Sequence, residues 1–126
     1  MLVLEDDPTP EKAPKMDIEK VDRLLNSAGK NFFAFHIQDI LSCWPELDVD
    51  PELKSLKIRQ YYREQRGFRS KDEYGVRVRL NAILQILRAG MIRDALMLVN
   101  EKDPRMNPQA IVMVKKTLAS LDRDHA

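Results

Sequence analysis

The sequence predicts an all-α fold, a compact bundle of about six short helices preceded by a disordered acidic N-terminal tail. Apolar residues recur at helical spacing in successive segments, and glycine or proline separates most of these segments. Only 4 glycines occur among 126 residues, which disfavours a turn-rich β fold. We therefore expect a tail over residues 1–15 and a single helical domain over residues 16–126.

The N-terminal segment combines prolines with charged side chains and offers little apolar surface. Pro8, Pro10 and Pro14 lie among acidic and basic residues. Burial of so few apolar groups cannot offset the entropy lost on ordering the chain. We therefore expect a flexible tail there.

The first two helices are predicted from their apolar spacing and from the residues at their ends. Asp17 can cap a helix over residues 17–28, and Gly29 can stop it. A second helix is expected over residues 31–43. Pro45 is expected to end it, because the residue before a proline avoids the helical region.

The third helix has a clear start signal. Asp50 can cap it, and Pro51 suits the first helical position because that position needs no N–H group. Gly67 is expected to end the helix in a left-handed conformation.

The fourth segment allows two interpretations. Ser70 and Glu73 fit a capping box that starts a helix. Residues 76–80 also alternate apolar and polar side chains as a strand would, and Gly75 weakens a helix start. A lone strand would find no partner, so a helix is the preferred interpretation.

Two further helices complete the expected bundle. Gly90 breaks the chain before a fifth helix over residues 91–100. Asn107 followed by Pro108 repeats the cap-then-proline start, which predicts a sixth helix. Residues 122–126 are expected to fray.

Charge is segregated along the chain although the net charge is only +1. Arg59, Arg63 and Arg66 share one strip of the third helix, and Tyr61 and Phe68 are among the aromatic residues interleaved with them. Three interpretations stay open: a solvated face, a nucleic-acid surface, or a dock for an acidic partner or the chain's own tail. The candidate basic surface comprises Lys54, Lys57, Arg59, Arg63, Arg66, Arg69, Lys71, Arg77 and Arg79.

The second helix carries aromatic residues on more than one face. Trp44 belongs to the main apolar stripe, whereas Phe32 and Phe35 point elsewhere. Such a helix is either central in the core or covered by a partner. In the second case we expect Phe32, Phe35 and Trp44 to contact the partner.

The sequence contains no pattern typical of catalysis, of a metal site or of a cofactor site. His36 and Cys43 lie seven residues apart without a third ligand, so neither is expected to bind metal. We expect no enzyme activity, no cofactor and no small-molecule substrate. A single cysteine favours a reducing compartment, and no apolar run is long enough to cross a membrane, so a cytoplasmic protein is expected.

Two stretches show slight resemblances to known families. Residues 58–67, with the later hairpin at 81–100, resemble the C subunit of the bacterial flagellar master regulator. That family binds DNA within a complex and holds zinc through a cysteine cluster, which this chain lacks. The hairpin that ends at 103–105 is similar in architecture to small helical chaperones of bacterial secretion systems. Neither resemblance assigns a role to a residue.

The leading functional hypothesis is a non-enzymatic helical interaction protein, such as an adaptor, a chaperone-like subunit or a regulator. It would bind another protein or a second copy of itself. The alternative is a transcriptional regulator that contacts nucleic acid through residues 54–79.

Overall fold

The computed structural model describes residues 16–100 and 106–124, and within them it contains six α-helices and no strand. The all-α prediction is confirmed, and residues 74–80 are helical. The tail predicted over residues 1–15 lies outside the described residues. The helices are α1 (Ile18–Ala28), α2 (Lys30–Val49), α3 (Pro51–Glu64), α4 (Glu73–Arg88), α5 (Ile92–Asn100) and α6 (Pro108–Asp124).

Helix α2 lies at the centre of the bundle and contacts each of the other five described helices. Helix α1 packs mainly on α4, while α6 packs on α5 and α2. One continuous apolar core joins them, and its fully buried side chains include Leu25, Ile37, Leu80 and Leu96. The central position of α2 explains why its apolar residues occupy more than one face.

Three of the predicted N-caps are confirmed by their hydrogen bonds. Asp17 Oδ1 accepts from the Lys20 N–H at 2.8 Å, and Asn107 Oδ1 accepts from the Gln109 N–H at 2.8 Å. Asp50 Oδ1 accepts from the next two N–H groups of α3, at 3.0 and 3.2 Å. Each cap satisfies backbone donors that have no partner inside the helix.

The prediction that Pro45 ends the second helix is wrong, because α2 continues through it to Val49. Pro45 has no N–H group for the Leu41 carbonyl, and an interior proline costs a helix about 3 kcal/mol. Leu47 lies beyond the proline and is 1% exposed. Burial of that side chain contributes about 1.5–3 kcal/mol and offsets the break.

Helix α3 ends earlier than predicted, at Glu64, and the left-handed residue that closes it is Gln65 (φ 47°). Gly67 also has a positive φ, of 80°, but it lies in the following loop. The Gln65 side chain holds this loop, since its Nε2 donates to the Tyr62 carbonyl at 2.7 Å and its Oε1 accepts from the Ser70 N–H at 3.0 Å. These bonds stabilise a conformation that glycine would otherwise favour.

Helix α4 is capped by Asp72 and not by Ser70, which corrects the predicted capping box. Asp72 Oδ1 accepts from the Gly75 N–H at 3.2 Å. The Ser70 hydroxyl instead donates to the Asp72 carbonyl at 2.6 Å and so orients the cap. The acidic cap also faces the positive end of the helix dipole.

The turn between α4 and α5 forms as predicted around Gly90, whose φ is 71°. Its N–H donates to the Leu87 carbonyl at 3.0 Å, and the Met91 N–H donates to the Ile86 carbonyl at 3.1 Å. This pair of bonds closes a helix with a left-handed glycine. Helix α5 therefore begins at Ile92, one residue later than predicted.

The end of the chain differs from the expected fraying. Helix α6 continues to Asp124, and residues 125–126 lie outside the described residues. Leu121 packs against the core and keeps the last turn on the bundle.

Candidate interaction surface

The phenylalanines of α2 lie inside the bundle. Phe32 and Phe33 are fully buried, and Phe35 is 7% exposed. The Phe32 ring stands edge-on to Phe68, with the ring centroids 4.9 Å apart, and also edge-on to Tyr61. Phe32 and Phe35 therefore follow the first of the two interpretations of α2, burial in the core, and neither offers a surface to a partner in this conformation.

The end of α3 and the loop after it cover Phe35. The guanidinium carbon of Arg66 lies 4.5 Å from the centroid of the Phe35 ring, in a cation–π arrangement. Arg66 Nη2 also lies 3.8 Å from the Met113 sulfur on α6. Arg66 therefore links the loop after α3 to α2 and α6, although it remains exposed.

Trp44 is the predicted partner-contacting residue that the structure leaves accessible. Its half-buried ring lines an open groove of about 690 Å³ between α2 and α6. Leu41 on α2 and Leu121 on α6 are also partly buried there. The residues that line the groove are Gln38, Leu41, Ser42, Trp44, Lys116, Thr117, Ala119, Ser120, Leu121 and Arg123.

The amphipathic pattern of α6 creates one wall of this groove. Val114 and Leu118 face the core, and Thr117 is buried with its hydroxyl donating to the Met113 carbonyl at 2.8 Å. Lys116 and Arg123 are consequently exposed on the groove side. Of the described residues that line the groove, none is acidic.

A polar cluster centred on Asp39 joins α2 to α3. Asp39 Oδ2 accepts from the Tyr61 hydroxyl at 2.6 Å and from Lys57 Nζ at 3.0 Å. Burial raises the pKa of Asp39, but both hydrogen bonds and the Lys57 charge outweigh it and hold that pKa below its usual value. Burial and the Asp39 carboxylate raise the pKa of Tyr61, so its hydroxyl stays a donor.

His36 is buried beside this cluster, 3% exposed, with its ring 4.6 Å from that of Phe32 and 4.4 Å from that of Tyr61. Its Nε2 has no hydrogen-bond partner among residues 16–100 and 106–124. Burial lowers the pKa of His36, although Glu64 Oε1, 3.8 Å from Nδ1, acts in the opposite direction. The lowered pKa favours the neutral imidazole, and a neutral imidazole forms no ion pair with Glu64.

Three members of the basic segment have structural contacts. Lys57 binds Asp39, as described, and Arg66 covers Phe35. Arg79 Nη1 donates to the Ala28 carbonyl at the end of α1 at 2.7 Å, and burial lowers the pKa of Arg79. A cation at this position interacts favourably with the negative end of the helix dipole. These three side chains stabilise the bundle, which the sequence did not predict.

Five of the other six basic residues of the segment are exposed. Lys54 is partly buried, and burial together with the Arg77 charge lowers its pKa. Acidic residues interrupt the surface, since Glu52 and Glu64 are exposed on the same helix as Arg59 and Arg63. The exposed cations of the segment are Arg59, Arg63, Arg66, Arg69, Lys71 and Arg77, and Arg66 has the contacts described above.

Cys43, which lies seven residues after His36, has a structural contact of its own. Cys43 donates through its Sγ to the Asp39 carbonyl at 3.4 Å, as a partly buried thiol. Among the described residues, no three His, Cys, Asp or Glu side chains group together in a way that could hold a metal ion. Within the same residues, no helix is long and apolar enough to span a membrane.

Sequence reasoning missed the α6 side of the groove and the role of Asp39. Lys116 and Arg123 are seven residues apart on an amphipathic helix, so the sequence places them on one face. No sequence signal indicates that this face adjoins Trp44. The Asp39–Tyr61 contact spans 22 residues and depends on how α2 meets α3.

Comparisons with known proteins give this chain no relative. No protein-family model, no curated protein and no solved structure matches it, and the two resemblances noted in the sequence therefore gain no support.

Proposed function

We propose that this protein is a non-enzymatic helical interaction module, an adaptor or regulator that binds a partner protein through the groove between α2 and α6. The observation that carries the proposal is the half-buried Trp44 in an open groove with apolar walls. Tryptophan is enriched among the residues that dominate binding energy at protein interfaces.

The chemistry of the groove indicates which partner segment fits it. Leu41 and Leu121 offer apolar surface beside Trp44, and Lys116 and Arg123 supply two positive charges. With no carboxylate among the described lining residues, an acidic amphipathic segment would be attracted and a basic one repelled. Affinity would come mainly from the apolar contacts, and the charges would contribute orientation and association rate.

A photo-crosslinking experiment tests this proposal in the native cell. A photoreactive residue replaces Gln38, which is exposed and lines the groove. The matched control replaces Gln60, an exposed glutamine on the outer face of α3. We expect one defined protein to crosslink from position 38 and not from position 60, and the crosslink to disappear in Trp44→Ala.

The proposal fails if position 38 gives no crosslink, or if both positions give the same set of proteins. It also fails if Trp44→Ala leaves the crosslink from position 38 intact in a folded chain.

A nucleic-acid-binding regulator is the second candidate. The exposed Arg59 and Arg63 lie one turn apart on α3 and favour it, since arginines can neutralise neighbouring phosphates. The carboxylates of Glu52 and Glu64 on the same helix, and the structural contact of Arg66, weaken this case.

A binding titration with a DNA duplex separates the two candidates. A nucleic-acid regulator would bind at low salt, lose affinity steeply with added salt, and weaken in the Arg59→Ala, Arg63→Ala double variant. Binding that is absent at low salt would eliminate this candidate and leave the protein-binding proposal untouched.

The compartment is part of the same proposal. A reducing environment suits a chain with one cysteine, whose thiol is partly buried. We therefore propose that the module works in the cytoplasm.

A further inference from the structure

The first seven residues of the chain have the composition that the groove would attract. Met1, Leu2, Val3 and Leu4 are apolar, and Glu5, Asp6 and Asp7 follow at once. We propose that this segment, residues 1–7, docks in the groove between α2 and α6 of the same molecule. The inference rests on the proposed function of that groove. Residues 1–7 would compete with the partner protein for the same site.

The segment and the groove are complementary in both hydrophobicity and charge. The short apolar run of residues 1–4 matches the apolar walls formed by Leu41, Trp44 and Leu121. The following run of acidic residues matches Lys116 and Arg123. The same groove has no described carboxylate that would repel the segment.

The chain between the acidic residues and the bundle is also long enough to span a large part of the domain. Eight residues lie between Asp7 and Met16, where the described structure begins, so nine steps of about 3.3–3.6 Å join these two residues when the chain is extended. The acidic run can therefore travel about 30 Å from Met16. A domain of this size has a radius of gyration of about 13 Å, so this reach is comparable with the width of the bundle.

The exposed face of α3 is a poorer dock for the same segment. Its shallow depressions include Glu52 and Glu64 beside Arg59 and Arg63. Those carboxylates would repel residues 5–7. The apolar side chains there are smaller and lack an aromatic ring, because Leu53 and Leu56 take the place that Trp44 has in the groove.

Docking of this kind would regulate partner binding. A tethered segment has an effective concentration in the millimolar range, so even weak contacts keep it in place. An acidic amphipathic partner would have to displace it. Conditions that screen the charges, such as high salt, would open the groove to solvent.

Trp44 is the only tryptophan, so its fluorescence reports on the groove without a label. The experiment measures acrylamide quenching of Trp44 in the full chain and in the variant Glu5→Gln, Asp6→Asn, Asp7→Asn. Loss of the ion pairs should release the segment and expose Trp44 to acrylamide. Because exposed ion pairs contribute only modestly to binding energy, we expect the quenching constant to rise about threefold in the variant. Lys116→Glu with Arg123→Glu should give the same rise.

A control and a rescue make the measurement specific. The control Arg59→Glu, Arg63→Glu removes the same number of cations from α3 and should leave the quenching of Trp44 unchanged. The rescue combines Glu5→Lys, Asp6→Lys and Asp7→Lys with Lys116→Glu and Arg123→Glu, which restores opposite charges. It should return the quenching constant to the value of the unaltered chain, and a merely unfolded variant could not do so.

Unchanged quenching in the neutralised variant, an equal response to the α3 control, or a failed rescue would each overturn the inference. The proposed function is judged separately by the crosslink from position 38. If position 38 still crosslinks to a partner but neutralising residues 5–7 leaves the quenching of Trp44 unchanged, only the proposed contact of the tail with the groove is rejected.

Discussion

The Tyr61 hydroxyl donates to Asp39 Oδ2 at 2.6 Å and so joins α3 to the central helix α2. Tyr61 itself is fully buried, whereas the Asp39 side chain is partly exposed. The bond therefore fixes the edge of the core at the point where Lys57 also reaches Asp39. A short bond to a charged acceptor stabilises more than a neutral one does.

Tyr61→Phe is expected to lower the free energy of unfolding by about 1–2 kcal/mol, because it removes this donor and leaves the ring in place. Tyr62→Phe is the matched control, since its hydroxyl donates to the Lys71 carbonyl at 3.1 Å at the surface. It should cost about 0.5 kcal/mol or less. Urea denaturation measures both, and equal costs would contradict the role assigned to Asp39.

The buried His36 predicts a loss of stability in mild acid. Burial lowers its pKa from the usual 6.5, and the Glu64 and Asp39 carboxylates oppose this shift. The backbone of Arg66 raises the pKa through a hydrogen bond, while the charge of Arg66 lowers it. Below pH 6.5 the unfolded chain gains a proton that the folded chain resists, so stability is full above that pH and decreases as pH falls.

His36→Leu removes this titration and should flatten the dependence of the unfolding free energy on pH. Denaturation at pH values between about 7.5 and 5.5 covers the relevant window. In the unaltered chain the unfolding free energy should rise with pH across this window, with a slope no steeper than about 1.4 kcal/mol per pH unit, the limit for one proton. The same slope in both proteins would show that His36 is not the group responsible.

Gly67 should tolerate a side chain less well than Gly90 does. Both have positive φ, but a Cβ at Gly67 would lie 2.6 Å from Phe35 Cδ2 and 2.9 Å from the Asn31 backbone, while one at Gly90 would meet nothing within 4 Å. Gly90→Ala should cost about 1–2 kcal/mol through backbone strain alone. Gly67→Ala should cost about 1–3 kcal/mol more through the clash.

Thermal or urea denaturation of the two alanine variants gives the comparison directly. Equal losses would mean that the loop after α3 yields to a side chain, and that its contact with α2 is looser than the distances indicate.

Pro45 interrupts the hydrogen bonds of a helix that continues beyond it, so its replacement should stabilise the protein. Pro45→Ala restores an N–H group for the Leu41 carbonyl and should raise the unfolding free energy by about 1–3 kcal/mol. Pro51→Ala is the control, because Pro51 occupies the first position of α3, where no such bond exists. Destabilisation by Pro45→Ala would show that the proline bend is needed for packing.

Local signals predicted the helices well, because caps and apolar spacing act within a few residues. Asp17, Asp50 and Asn107 cap the helices that follow them, as expected. The errors arose where side-chain contacts, some distant and some local, override the preference of the backbone. Leu47 keeps α2 helical beyond Pro45, and the side chain of Gln65 holds a left-handed conformation ahead of Gly67.

The candidate surface was only partly predictable for the same reason. Trp44 was identified from its own helix, but Lys116 and Arg123 join it only because α6 packs beside α2. Conversely, the number of cations in residues 54–79 suggested more unpartnered positive charge than the structure contains. Arg66 and Arg79 lie over aromatic rings, and Lys57 binds Asp39, contacts that depend on tertiary structure.

The central claim is that the groove around Trp44 binds a protein partner. The most direct test is the dissociation constant of the partner crosslinked from position 38, measured by calorimetry with the unaltered chain, with Trp44→Ala and with Tyr74→Ala. Tyr74 is an aromatic side chain that is 70% exposed and lies outside the groove. We predict that Trp44→Ala weakens binding about 30-fold or more, as truncation of an interface tryptophan does, and that Tyr74→Ala changes it less than about twofold. Unchanged affinity in a folded Trp44→Ala protein, or an equal loss in Tyr74→Ala, would contradict the claim.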